Sequence, residues 1–310
     1  MAPSKLQEVN LVMANYVLSC CSTVDLSKEH LEHLDISHIC FHYSLNGVSY
    51  KDDLWQSVSA EEFYSAMAAG ADTNTSQVNV SEFEEYFTEF ASQGRDIIHV
   101  SLSSGLSGSY NSACIAARNV SEKFPDVKVY IVDSLAASSG YGLLMDKLGE
   151  LRSAGMSIDE LRDWAEANKL CVHHWFFSTD LSFYVKGGRI SKTSGAVGTL
   201  LGICPLLDMD EGGHLTVRSK VRSKKRVITE IVERMKRYAQ DRAAYSEKCF
   251  ISQSACLSDA QRVAELVESA FPNLSGNVLI NSIGTTIGSH TGPGTVALFF
   301  WGDKREGDEF

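Results

Sequence analysis

The sequence predicts a two-domain protein, an N-terminal α/β domain with a parallel sheet flanked by helices and a second, α+β domain. Three observations carry that expectation. The chain has 310 residues, about two domains at roughly 150 residues each. Up to Leu170, short β-rich runs alternate with amphipathic helices, the pattern of parallel strands joined by helical crossovers. From Cys171 the texture changes to short strands around two longer helices, so the domains are placed at 1–172 and 173–310.

Taken in order, Asn15–Cys20 and His38–Leu45 read as strands, and Ser59–Ala69 and Ser81–Ser92 as helices. Each helix opens with a capping box, Ser59 with Glu62 and Ser81 with Glu84, which satisfies two orphan backbone donors reciprocally. Phe83, Phe87 and Phe90 recur at i, i+4, i+7 and make an apolar stripe. A strand over Asp96–Leu102 leads through a Ser/Gly turn into a helix over Ser109–Phe124, a strand over Val127–Val132 and a helix over Ser139–Ala154. A third capping box, Ser157 with Glu160, starts a helix carrying Leu161, Trp164 and Ala165. The second half offers strands at Cys171–Phe177, His214–Val217, Cys249–Ser254, Asn277–Ser282 and Thr295–Trp301, with helices at Lys224–Ala239 and Ser258–Phe271. His173 and His174 fall in the first of these strands, where alternation places one facing in and one out.

Composition narrows the function. Apolar residues are 44% and charged residues 22%, which excludes a disordered or fibrous chain. With 28 Lys+Arg against 39 Asp+Glu the net charge is −11, which argues against a nucleic-acid binder. The uncharged run Asn273–Gly302 is too rich in Gly, Ser, Thr and Asn to be an integral membrane segment. Val17-Leu18-Ser19-Cys20 has the outline of a lipoprotein cleavage site, but no long apolar core precedes it and it reads as a buried strand. Eight cysteines without CxxC spacing imply reduced thiols and a cytoplasmic protein. Zinc spacing, HExxH, a Walker A loop and GxGxxG are absent, so no metal or nucleotide cofactor is expected.

Four segments could carry chemistry. Ser101–Ser109 (SLSSGLSGS) lies between a strand and a helix, where small residues let backbone N–H groups converge on an anion. Gly105-Leu-Ser107-Gly-Ser109 also approaches the nucleophile elbow of hydrolases, with Asp133 or Asp180 and then His290 following in hydrolase order. The second elbow glycine is missing. A serine esterase or thioesterase using Ser107 and His290 therefore stays open as the alternative. Thr73–Gln77 presents hydroxyls and an amide ahead of a helix. Lys186-Gly-Gly-Arg189-Ile190 pairs glycines that permit positive φ with a planar cationic fork. Beside it, Gly195–Leu207 mixes glycines with large aliphatics and could wall an apolar cavity. In Gly284–Gly294, His290 is bracketed by glycines and a proline and is well placed to contact an oxyanion. The basic run Arg218–Arg226 lacks interleaved aromatics for base stacking and reads as a solvated helix start or a protein docking surface.

Together these segments resemble the DegV family of bacterial fatty-acid-binding proteins. The resemblance runs in order through Ser22-Thr-Val-Asp25-Leu, Gly47–Asp52, Thr75-Ser-Gln77, Ser103–Tyr110, Val132-Asp-Ser134, Lys186–Ile190, Leu200–Pro205 and Ile287–Gly294. It implies a fold that encloses one long-chain fatty acid, such as palmitate, stearate or oleate, between the two domains. It maps carboxylate binding onto Thr75 and Ser76, onto Ser107 and Gly108, and onto His290, with Arg189 as a further carry-over. It also implies a non-catalytic role, the lipid-presenting subunit of fatty acid kinase, whose separate ATP-binding protein makes an acyl phosphate for phospholipid synthesis. The chain departs from the family pattern at Cys21 (usually Asp), Val78 (usually Pro) and Cys204 (usually Lys).

Overall fold

The computed structural model describes residues 16–191 and 202–306. The first sheet is parallel and four-stranded, in the order β2-β1-β6-β7: β1 is Tyr16–Cys21, β2 Ile36–Ile39, β6 Asp96–Ser101 and β7 Val129–Asp133. Its strands are rich in Val, Ile and Leu, as strands covered on both faces require. The covering helices include α3 (Val80–Ala91), α4 (Ser109–Lys123) and α6 (Ile158–Asn168). Strand order reverses between β1 and β6, and the crevice at the carboxyl ends of such a strand pair is where open α/β sheets bind ligands. The turns leaving those ends are Ser22–Asp25, before the short helix α1 (Lys28–His33), and Leu102–Gly108.

Between β2 and α3 the chain builds a small antiparallel sheet, β4-β3-β5, from β3 (His42–Leu45), β4 (Val48–Lys51) and β5 (Thr73–Ser76). The stretch expected as one strand, His38–Leu45, is thus divided between two sheets. Asn46 and Gly47, at φ 50° and 81°, form the tight turn that pairs β3 with β4. The helix α2 (Ala60–Ala68) packs Phe63, Tyr64 and Met67 under this sheet, in an aromatic cluster separate from the main core. The Ser59–Glu62 capping box forms as expected, and so does Ser157–Glu160. The box on α3 is Asn79 with Glu82, two residues ahead of the expected pair.

The third sheet is six-stranded, in the order β10-β9-β8-β13-β11-β12. Its strands are β8 (Val172–Ser178), β9 (Ile203–Met209), β10 (Leu215–Arg222), β11 (Cys249–Gln253), β12 (Leu279–Ser282) and β13 (Thr295–Trp301). Every pairing is antiparallel except β11 with β12. Helices α8 (Lys224–Tyr238) and α9 (Leu257–Ala270) pack on it, and α5 (Ser138–Ser153) packs against β8, β11 and β13. Because β8 is covered on both faces, His173 and His174 are both buried, against the expected alternation. His173 stacks on Tyr238 and Phe300, whereas His174 meets Phe299 edge-on.

The helix α5 is buried along nearly its whole length and joins the two larger sheets. Its Tyr141 hydroxyl takes the Cys21 N–H at 3.0 Å and donates to the Val100 carbonyl, across β1 and β6. Gly140 faces the other sheet, where a Cβ would stand 2.3 Å from His174 Nε2 and 2.5 Å from Phe299.

Candidate functional site

A cavity of about 770 Å³ opens where the turn after β6, the strand β5, the β8–β13 face and two short helices converge. These helices are α7 (Ser182–Lys186) and α10 (Thr285–Thr291). Leu102, Leu106, Phe176, Met209, Ala297 and Phe299 supply apolar wall. All six sequence-expected residues, Thr75, Ser76, Ser107, Gly108, Arg189 and His290, also line it, although they lie up to 215 positions apart. Of Gly195–Leu207, residues 195–201 lie outside the described residues, and Ile203–Leu207 belong to β9.

His290 sits in the last turn of α10, so a short helix, together with the flanking glycines, pins the ring. Its Nε2 hydrogen-bonds Thr75 Oγ1 at 2.7 Å. The ring lies so close to Gly187 that a Cβ there would stand 2.3 Å from Nδ1. The paired glycines of Lys186–Arg189 therefore do two jobs: Gly187 admits the imidazole, and Gly188 takes the positive φ of 72° that turns the chain. Burial, and secondarily the Arg189 guanidinium, holds the imidazole down at about 4, so the ring is neutral at neutral pH.

Thr75 is placed by the pairing of β5 with β3, opposite Tyr43. The next residue but one, Gln77, folds over the start of α4: its Nε2 donates to Ser112 Oγ at 3.1 Å, and a Cβ on Gly108 would stand 2.7 Å from its Oε1. The glycine thus lets β5 dock beside Ser107. Ser107 Oγ accepts the Ser109 N–H at 3.2 Å, which leaves its own hydroxyl hydrogen available. No hydrogen bond within the described residues engages the Gly108 N–H.

Arg189 lines the cavity, but its fork faces backbone. Nε and Nη2 donate to the Leu106 carbonyl at 3.2 and 3.0 Å, and Nη1 to the Gly187 carbonyl at 2.6 Å. Two of its five donors therefore hold the turn that carries Ser107, a third holds the Gly187 carbonyl, and two remain. Burial lowers its pKa.

The hydrolase alternative finds no relay here. His290 bonds Thr75, not Ser107, and its Nδ1 side abuts Gly187, so no carboxylate orients the ring. Asp133 takes the N–H groups of Ser104 and Leu135, and Asp180 takes the N–H and the hydroxyl of Ser182, so both candidate acids cap local turns. One Cys–His contact that no sequence motif marks, Cys21 Sγ to His99 Nε2 at 3.5 Å, is equally inert. Burial pushes that thiol up to about 12 and that imidazole down to about 3, so neither is charged.

Among the described residues no group of three or more His, Cys, Asp or Glu could hold a metal ion, and no helix is long and apolar enough to cross a membrane. All eight cysteines are free; Cys21 and Cys204, two of the departures from the family pattern, are buried, as is Val78. The basic run spans the edge strand β10 and the first turn of α8, with Arg218 paired to Asp208 at 2.7 Å and Lys224 to Asp259 at 2.9 Å.

Comparison with known proteins adds the family context. A family model described as an uncharacterised protein of the DegV family matches residues 21–303. A DegV domain-containing protein of Clostridium perfringens is 36% identical over 294 residues, covering 95% of this chain and 100% of that one. A solved DegV family protein from Thermus thermophilus, described for its fatty acid binding, superposes with a TM-score of 0.82 at 25% identity, over 93% of this chain and 99% of that one. The fatty acid kinase B3 protein of Streptococcus pneumoniae, solved loaded with linoleic acid, shares the fold with a TM-score of 0.78 at 22% identity, over 94% of this chain and 100% of that one.

Proposed function

The chain belongs to the DegV family, and from that premise we propose that it binds one long-chain fatty acid in this cavity. It then presents the carboxylate to a separate ATP-binding kinase protein, which converts it to an acyl phosphate. The observation that carries the reading is the 2.7 Å bond between Thr75 and His290 at a polar patch shared with Ser107, in a cavity otherwise walled by large apolar side chains. The description of the Thermus thermophilus relative supports the ligand class. The fold shared with the Streptococcus pneumoniae kinase subunit is consistent with presentation.

The chemistry follows from the donors. With its proton on Nε2, neutral His290 donates to Thr75 Oγ1 and frees the Thr75 hydroxyl hydrogen for the ligand. Thr75, Ser107 and the Gly108 N–H then offer a carboxylate three donors, with Ser76 and Arg189 lining the same cavity. A buried carboxylate without such partners is very costly. The tail supplies most of the affinity: at about 0.8 kcal/mol per buried CH₂, roughly fourteen methylenes give on the order of 11 kcal/mol. Association costs of about 4 kcal/mol, the low end of their range, leave about 7 kcal/mol, which is micromolar binding from the tail alone. The head group needs only to be oriented, and no base has to activate Ser107.

On this reading residues 1–172 and 173–310 are two lobes that close on the tail, and the free thiols suit a cytoplasmic carrier. Native mass spectrometry of the purified protein, followed by organic extraction, tests it. The expected result is one fatty acid per chain, and Ser107→Ala should weaken binding by about 1–3 kcal/mol without any loss of ester hydrolysis. An apo mass that does not shift with palmitate or oleate refutes the carrier reading, and ester turnover abolished by Ser107→Ala would establish the hydrolase instead.

A further inference from the structure

The helix that carries His290 starts without a cap of its own. Its N-cap is Gly284, which has no side chain to accept the first backbone N–H groups. Two carboxyls from distant loops take them instead. Asp25 Oδ1 accepts the Gly284 N–H at 3.0 Å, and Asp52 Oδ2 accepts the Thr286 N–H at 3.3 Å. Asp25 follows β1 at a positive φ of 46°, and its second oxygen takes the Ser138 hydroxyl, at the start of α5, at 2.5 Å. Asp52 follows β4. The two carboxyls converge on one point: a Cβ on Gly284 would stand 2.6 Å from Asp25 Oδ1 and 3.6 Å from Asp52 Oδ1.

Both acids are buried, at 5% and 2% exposure, and neither is ion-paired within the described residues. The titratable groups facing them are His38 on β2, Cys40, Tyr43 on β3 and Tyr64 on α2. None of these is a lysine or arginine. Two buried carboxylates that meet at one helix start, with no ion-pair partner among the described residues, cannot both ionise cheaply.

We propose that Asp25 and Asp52 are positioning residues for His290: a carboxyl pair that shares one proton and pins the first turn of α10 from two separate loops. One negative charge suits the helix start, and the shared proton removes the repulsion. Six residues and about 9 Å of helix separate Gly284 from His290, so a shift at the pinned end moves the imidazole against Thr75 and Gly187. A second ionisation drives the carboxyls apart and loosens that end. Burial raises both carboxyls above the usual range, consistent with a retained proton. The inference rests on reading His290 as part of the head-group site.

Two readouts test it. Affinity for decanoate, which stays ionised throughout, is measured from about pH 6 to 9; the ¹⁵N spectrum of the His290 imidazole, assigned with His290→Gln, is recorded on the lipid-free protein. The native affinity is expected to fall at the alkaline end. Asp25→Asn and Asp52→Asn, each with a single ionisable carboxyl, should lose that alkaline limb. Gly284→Ala, which displaces the Asp25 oxygen, should move the His290 resonance and lower affinity about tenfold or more. A native profile flat in pH, an alkaline limb kept in both Asn variants, or an unmoved His290 resonance in Gly284→Ala overturns the proposal. If Gly284→Ala does not fold, the two Asn variants decide. If the native protein binds no fatty acid at all, the carrier reading falls, while the Asn variants' effect on the His290 spectrum still decides the positioning role.

Discussion

His99 shows how a single buried ring ties this protein's stability to pH. It sits on β6 edge-on to Phe83 and Phe87, hydrogen-bonded to Ser19 at 2.9 Å, and burial alone lowers its pKa from 6.5 to about 3. The folded state therefore keeps the ring neutral while the unfolded chain takes up a proton. The stability it confers is complete above the unfolded value and is lost as pH falls from 6.5 toward 3. His174 and His290 act with the same sign, Asp25 and Asp52 with the opposite one, since their raised values favour the fold at lower pH. We expect His99→Asn to flatten the urea-midpoint profile below pH 6.5 by about one proton, roughly 1.4 kcal/mol per pH unit. An unchanged slope would show that His99 is already protonated in the fold. At this scale the sequence was informative where chemistry is local. Thr75 stands out in a hydroxyl- and amide-rich run, Ser107 and His290 in glycine-bracketed stretches, and the structure brings all three to one cavity. Arg189's choice of the Leu106 carbonyl was not readable, because it depends on a turn 83 positions away. The roles of Asp25 and Asp52 were equally hidden, since their partners lie 259 and 234 positions along the chain.

The element α3 separates what periodicity reveals from what it does not. Its Phe stripe was correct: Phe83 and Phe87 are fully buried and Phe90 packs at the edge. Its start was displaced because both Asn79/Glu82 and Ser81/Glu84 satisfy the same spacing rule, and only the backbone conformation chooses. Asn79 is extended, at φ −90° and ψ 174°; its side chain takes the Glu82 N–H at 3.1 Å, and Glu82 reaches back to the Asn79 N–H at 2.9 Å. Asn79→Ala should therefore cost about 1 kcal/mol, and Ser81→Ala less than about 0.5 kcal/mol, as at an ordinary surface site. Urea unfolding of the two variants measures this, and equal losses would contradict the assignment. The same limit explains β5. Thr73–Ser76 carries no alternation strong enough to mark a strand, and it becomes one because β3 is already folded back by Asn46-Gly47 and leaves an edge to pair. That Asn-Gly turn was the available signal for the small sheet.

At the scale of the whole molecule, the alternation of strands and helices announced the parallel sheet, and the change of texture at Cys171 announced the antiparallel one. What the residue pattern could not show is that α5 lies between them; that the cavity draws one wall from each is what the family resemblance implied. Leu102 and Ser107 come from the turn after β6; Phe176, Ala297 and Phe299 come from β8 and β13. A tail filling that space adds apolar contacts to both walls at once, and it binds the folded state only, because the unfolded chain has no cavity. Linkage then requires it to raise the stability of the protein as a unit, by about 2.7 kcal/mol at a hundredfold excess over the dissociation constant. For a protein of this size that corresponds to at least several degrees in Tm. Scanning calorimetry of the protein as purified, after delipidation, and after return of one equivalent of oleate should give a high, a lowered and a restored Tm. The shift should affect the whole transition, since losing the tail unsupports both walls. If delipidation leaves Tm unchanged although the extract contains stoichiometric fatty acid, the lipid was bound elsewhere on the surface. If only one of two resolved transitions moves, the tail lies within one sheet's own core, and the two lobes do not close on it.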